Sequence, residues 1–222
     1  MNKTKNEKYF KEFKIKPFVI MIAIGVLGGF ASPVVFLLAA IGIGLLVLKI
    51  KGRSTDAEID ASYESEIGSI KEKALKKLGL DEDEVTAIEP IVFYGNYHKN
   101  ISKGLWYKRG KDDIVRASNY QAVVLFFSEQ QVYSYTYAFS IIADDRREST
   151  DEYFYRDIVS ASTNTDNVEV TLAGKKENVT FDEFLLTTSG GTSISATLRD
   201  HNDADRSIKA MKSLLRQKKS AI

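Results

Sequence analysis

The 222-residue chain reads as an apolar helical hairpin joined by an amphipathic helix to a mainly β domain that ends in a further helix. Three observations predict that class. Positions 17–48 hold 32 consecutive residues without a charged side chain. Apolar residues then recur at helical spacing from Ile59 to Leu78. From about residue 85 the period shortens to two, with turn residues between short runs, until a last helical stripe follows residue 203.

Charge is sorted along the chain. The totals, 31 Lys and Arg against 30 Asp and Glu, conceal regional nets of +4 for residues 1–16, +3 for 49–53 and −6 for 54–222. Without cysteine there is no disulfide framework, thiol nucleophile or Cys-based zinc or iron–sulfur site. Two histidines, His98 and His201, are too few for a histidine-rich metal centre. Aromatics at 11% and only three prolines exclude collagen and wholesale disorder.

Residues 1–16 form a basic amino terminus. The run that follows exceeds the roughly 20 apolar residues needed to cross a hydrocarbon core, so it predicts a transmembrane segment. Gly28 and Gly29 lower helix propensity, and Pro33 disfavours helical geometry at Ser32 while suiting the first turn of a new helix. The expectation is a hairpin over 17–50, with helices near 17–29 and 33–50; a single tilted span stays open. Lysines flank both ends, and both clusters favour the cytoplasm under the positive-inside bias. A signal-peptide cleavage after Gly29-Phe30-Ala31 is the weaker reading, since the second apolar run would remain at the new terminus.

A helical connector is expected over 54–80. Ile59, Tyr63, Ile67, Ile70, Ala74 and Leu78 fall on one stripe, Ser54 or Thr55 can cap the start, and Gly79 follows the basic pair Lys76-Lys77. The stripe can pack on the folded domain or pair with a second copy through helix 56–78. Asp81-Glu82-Asp83-Glu84 lacks the alternating ligand spacing of a calcium loop and reads as the start of a helical turn.

The β domain is expected over 85–220. Runs at 85–94, 105–109, 116–127, 131–143, 152–162, 168–172, 180–187 and 192–198 suggest about seven antiparallel strands. Tyr133, Tyr135, Tyr137, Phe139 and Ile141 alternate with small or polar residues and share one face. Ser189-Gly190-Gly191 reads as a hairpin turn; no helix follows it, which removes a phosphate-binding loop. Asn202 or Asp203 can cap a final helix whose stripe is Ala204, Ile208, Met211, Leu214 and Leu215.

The stretches 151–162, 184–191 and 205–219 resemble bacterial pleckstrin-homology-like domains: an aromatic and Asp-Ile strand, a glycine-turned hairpin, and a helix rich in Ile and Lys. The whole chain also resembles uncharacterised bacterial membrane proteins with a hairpin ahead of such a domain. The resemblance implies a seven-strand barrel or sandwich closed by the carboxy-terminal helix, and brings no catalytic position with it.

No catalytic, cofactor or metal residue is expected. His201 lies among Asp200, Asn202 and Asp203 where a capping loop belongs, and His98 lies in a turn; neither has a nucleophile elbow beside it. Asp112-Asp113 and Asp144-Asp145 are adjacent in sequence, which gives no shared acid–base geometry on a strand. Lys99, Lys103, Lys108, Arg109 and Lys111 form a local basic cluster. The −6 balance disfavours phosphoinositide and nucleic-acid binding. The function expected is a non-enzymatic binding or scaffold protein, integral to the cell membrane, with its β domain on the cytoplasmic side and a protein or peptide partner. The alternatives are a membrane-associated hydrolase or transferase with a pocket at the barrel mouth, using His98, or a dimeric assembly element built on helix 56–78.

Overall fold

The computed structural model describes residues 1–30, 32–101, 104–199 and 201–220. It divides into two compact units, 1–60 and 61–222.

The first unit opens with helix α1 (Lys3–Phe10), whose start is capped by Asn2 accepting from the Lys5 amide at 3.1 Å. Residues read as a basic amino terminus therefore carry a helix, and polar contacts hold it. The Tyr9 hydroxyl donates to Asp56 at 2.6 Å, Ser54 Oγ donates to Asn6 at 2.7 Å, and the Arg53 guanidinium donates to the Lys11 carbonyl. The apolar run supplies α2 (Lys16–Gly29) and α3 (Phe36–Lys51), separated by a 3₁₀ turn at Pro33–Val35. Ala31, in the stretch where the sequence suggested a break or a cleavage site, lies outside the described residues. The two helices pack closely at Gly25, where a Cβ would collide with the Ala39 backbone. Their outward residues, Leu27 and Leu48 among them, are exposed.

This arrangement overturns the transmembrane hairpin, the integral-membrane location and the inner-leaflet placement expected from 17–50. No described helix is long and apolar enough to cross a membrane. With 14 and 16 residues, α2 and α3 extend roughly 21 and 24 Å at 1.5 Å per residue, against a hydrocarbon core of about 30 Å. The same Gly28–Pro33 stretch that breaks the run leaves two pieces that are each too short.

Helix α4 (Asp56–Ile67) crosses the boundary between units and is followed by α5 (Ile70–Leu78), which ends on Gly79 in the left-handed conformation. The second unit then carries nine strands among the described residues: β1 (Ile91–Asn96), β2 (Tyr107–Arg109), β3 (Val115–Ala117), β4 (Asn119–Phe127), β5 (Gln131–Ser140), β6 (Arg146–Phe154), β7 (Ile158–Leu172), β8 (Lys175–Thr188) and β9 (Ser193–Leu198). They form an antiparallel sheet ordered β1-β4-β5-β6, a β2-β3 hairpin and a β7-β8-β9 sheet. The expected seven-strand pleckstrin-homology-like barrel is therefore corrected to three separate sheets.

Three local features account for the difference. Ser118 divides the apolar run 116–127, since its amide and its Oγ both bond the Trp106 backbone, diverting 115–117 to pair with β2. Residues 146–151, between the expected strands 131–143 and 152–162, pair along β5 as an exposed edge strand, where charge blunts unwanted strand addition. The 3₁₀ turn Tyr155–Asp157 ends β6, and β7 then runs for 15 residues into a tight turn at Ala173 and Gly174, both at positive φ.

The four-stranded sheet is covered on both faces. On one, Ile91, Phe93, Val123, Leu125, Phe127 and Val132 pack with Phe184, Leu186, Ala196 and Leu198 of the three-stranded sheet. Helix α6 (His201–Ser220) adds Ala204, Ile208, Met211, Leu214 and Leu215 to the same core. The helix begins at His201, so Asn202 and Asp203 fall inside it rather than at its cap; Asp200 lies outside the described residues.

The other face carries the aromatic stripe. Tyr120, Tyr135, Tyr137 and Phe139 are buried, and so are Tyr63, Ile70 and Ala74 of the connector. The Tyr63 ring stacks on Tyr120 at 4.0 Å and its hydroxyl donates to the Ala117 carbonyl at 2.6 Å. Lys73 lies 3.5 Å over the Tyr137 ring and pairs with Glu148, which also takes Lys77. These lysines hold the Glu148 carboxyl at about 2, below its ordinary 4.5. The connector stripe is thus used inside one chain.

Candidate functional site

The end of β1 carries Gly95, Asn96 and, two residues on, His98. A Cβ at Gly95 would sit 2.6 Å from the Thr197 carbonyl oxygen, so glycine lets β9 approach β1 here. Asn96 then ties in the β2-β3 hairpin: its amide donates to the Val115 carbonyl at 3.0 Å, and its oxygen accepts from the Ala117 amide at 3.1 Å. Beyond its pairing with β9, which reaches back only to Asp182, β8 continues with β7 as a two-stranded arm. The arm meets β2 through Arg109, which pairs with Glu177 at 3.1 Å, and meets His98 through Phe181, ring centroids 4.3 Å apart.

These elements enclose a cleft of about 420 Å³, within the size range of small-molecule sites. Tyr63, Tyr120, Ile114, Val179 and Phe181 give it apolar walls; Asn178, Thr180 and Thr197 add neutral polar groups; Arg109, Arg116, Arg199 and Asp113 bring charge.

Arg116 is 2% exposed and is clamped by both oxygens of Asp112, at 2.9 and 2.6 Å. That clamp holds the Asp112 carboxyl far below its usual range. Arg109 behaves differently, since its partners Glu177 and Asp113 are themselves exposed, Asp113 at 85%. Asp113 also holds a left-handed backbone, φ 64°, which turns it toward Arg109. Arg199 follows β9, with its guanidinium 5.9 Å from the Tyr63 ring and 3.5 Å from the Tyr120 hydroxyl.

His98 is the most perturbed base of the site. Its Nδ1 lies 2.8 Å from the Tyr107 hydroxyl, and its Nε2 is buried with no hydrogen-bond partner. Burial lowers the imidazole from 6.5 to about 4 and raises the Tyr107 phenol well above its usual value. At neutral pH both are uncharged, so the pair is a fixed hydrogen-bonding wall and a weak proton acceptor.

Of the residues weighed from sequence, His98, Arg109 and Asp113 come together in this cleft, with Asp112 beside it. Lys99, Lys108 and Lys111 do not line it, and Lys103 lies outside the described residues. Asp144 and Asp145 sit in the turn between β5 and β6. Asp81–Glu84 forms a capping box, Glu84 accepting from the Asp81 amide at 2.8 Å, and among the described residues no group of three His, Asp or Glu side chains is placed to hold a metal. Sequence reasoning missed Arg116, Arg199 and the arm residues 178–181. An arginine opening a strand run, as at Arg116, is a signal that could have been used; nothing local marks the others.

No protein-family model, curated protein or solved structure matches the chain.

Proposed function

We propose that the second unit is a non-enzymatic binding domain whose cleft between β1, the β2-β3 hairpin and the β7-β8 arm receives the ligand or partner group. The observation that carries the reading is the cleft itself: about 420 Å³, apolar walls, and several polar side chains held in place by their own hydrogen bonds. Such preorganised walls favour recognition, because little ordering is left to be done at the moment of binding.

Turnover is the second reading, favoured by His98 in the cleft. Its partner is a tyrosine hydroxyl and burial takes it to about 4, so it is a poor general base at neutral pH. Dimerisation through helix 56–78 is not carried forward, since Tyr63, Ile70 and Ala74 are buried within the chain.

The test is a fragment screen against the full chain by ligand-observed NMR, repeated with Val179→Trp, which fills the cleft from β8. Binding that disappears in Val179→Trp while the variant keeps its fold supports the proposal. Fragments that bind both proteins equally, or none that bind, reject it.

A further inference from the structure

The α2-α3 hairpin of the first unit turns one stripe of each helix inward. On α3 that stripe holds Val35, Ala39 and Gly42, which meet Gly28, Gly25 and Ile22 of α2. Much of the remaining surface is apolar and faces outward. Sixteen Val, Leu, Ile and Phe side chains between Val19 and Ile50 are exposed by 41 to 83%. At about 110 Å² for each such side chain when fully exposed, the set amounts to roughly 1,000 Å² of apolar surface. The largest apolar patch of a typical monomer is about 300–600 Å², and a standard interface takes about 800 Å² from each partner. The hairpin therefore has the area of an interface.

Two features select a second copy of the chain as its occupant. The first is self-complementarity. Val34, Leu38, Ile41, Leu45 and Leu48 recur on α3 at steps of 4, 3, 4 and 3, and all are exposed. Each of the first three precedes an inward residue by one position, so this second stripe lies about 100° around the helix from the first, as a helix with two neighbours requires. Laid antiparallel on itself, the stripe brings Leu38 to Leu48 and Ile41 to Leu45, and the reverse pairs complete a two-fold contact. The second feature is charge. Lys14, Lys16, Lys49, Lys51 and Arg53 gather at the open end of the hairpin, and no Asp or Glu occurs between residues 13 and 55. Two hairpins packed in the same direction would hold these clusters about 10 Å apart, the distance between packed helices. Packed antiparallel, they stand roughly 20 Å apart, more than two Debye lengths at physiological ionic strength, against an uncharged tip.

We propose that the α2-α3 hairpin is a homodimerisation surface, on which a second copy of the chain packs antiparallel with α3 against α3 along Leu38, Ile41, Leu45 and Leu48. This surface is separate from the cleft, so either proposal can fail without the other.

The absence of cysteine makes introduced thiols unambiguous reporters. Full-length Leu38→Cys and Leu48→Cys chains, one of them tagged, are co-expressed and oxidised with copper phenanthroline in a detergent-free lysate. The mixed Leu38→Cys/Leu48→Cys disulfide is expected severalfold above either like pair. Sedimentation of the purified parent is expected to give the mass of two chains. Leu45→Glu, at a position exposed in the single chain, is expected to weaken the dimer at least about tenfold by burying an unpaired carboxylate against the partner, with a circular dichroism spectrum like the parent's. Like and mixed pairs in equal yield overturn the antiparallel register. A single-chain or larger mass, or a Leu45→Glu variant that dimerises as tightly as the parent, overturns the interface. A parent that stays monomeric and co-sediments with phosphatidylglycerol vesicles gives the surface to lipid instead, and overturns the proposal.

Discussion

Replacing His98 by glutamine is expected to remove a distinct acid-induced loss of stability. Burial lowers the folded imidazole from 6.5 to about 4, so between those values the unfolded chain takes up a proton that the folded chain refuses. Stability is therefore complete above about pH 6.5, falls as pH drops toward 4, and levels off below. Between pH 7.5 and 4.5 the shift corresponds to at most about 2.5 kcal/mol, and partial solvent access to the ring reduces this to roughly 1–2 kcal/mol. The strongly shifted carboxylate of Glu148 does not obscure the effect. Glu148, held at about 2, titrates below this window, and its contribution is common to both proteins and cancels in the comparison. Trp106, the single tryptophan, sits directly before Tyr107 and reports on this part of the second unit. Urea titrations followed by its fluorescence at pH 7.5, 6.0, 5.0 and 4.5 give the stability difference directly. The two proteins should diverge most at pH 7.5 and converge by the stated amount at pH 4.5. Parallel pH profiles would falsify the assignment of an imidazole kept uncharged by burial.

Two further substitutions probe the frame around the cleft. Gly95→Ala places a methyl 2.6 Å from the Thr197 carbonyl oxygen and 3.1 Å from its Cβ, so β1 and β9 must separate; a loss of about 1–3 kcal/mol in urea is expected, and a neutral result would mean that the strands do not approach this closely. Tyr63→Phe keeps the stack on Tyr120 and removes the buried bond to the Ala117 carbonyl, for a loss of about 1–2 kcal/mol, whereas Tyr63→Ala also loses the ring and should cost about 3–5 kcal/mol. Equal losses for the two would show that the hydroxyl, not the ring, holds the connector to the sheet.

Legibility followed the range of the interactions. The alternation from Tyr133 to Phe139 reports a pleated surface, and the structure buries Tyr135, Tyr137 and Phe139 of it on the face where Tyr63 stacks on Tyr120. The stripe from Ala204 to Leu215 likewise needs only the 3.6-residue period. Edge strand β6 was hidden because Arg146 to Asp151 have no apolar face to alternate. The membrane reading failed for a related reason: summed hydropathy over 17–48 does not measure the length of the helices on either side of a break. In the cleft, His98 and Asp113 could be picked out as polar residues in turns, but their sharing one cavity with Arg199 and Phe181 could not.

What the sequence by itself determined are the local periods, the breaks at Gly28–Pro33 and Gly79, the sorting of charge, and the absence of cysteine chemistry. The tertiary structure alone decided that 115–117 leaves the main sheet, that β7 and β8 extend past β9, and that residues as distant as Tyr63, His98, Arg116, Phe181 and Arg199 line one cavity. The physical reason is that helix and strand periods are set within a few residues, whereas strand order and the cleft depend on pairings across more than a hundred. Those pairings are selected by shared burial and hydrogen-bond satisfaction over the whole unit, which no short window of sequence records.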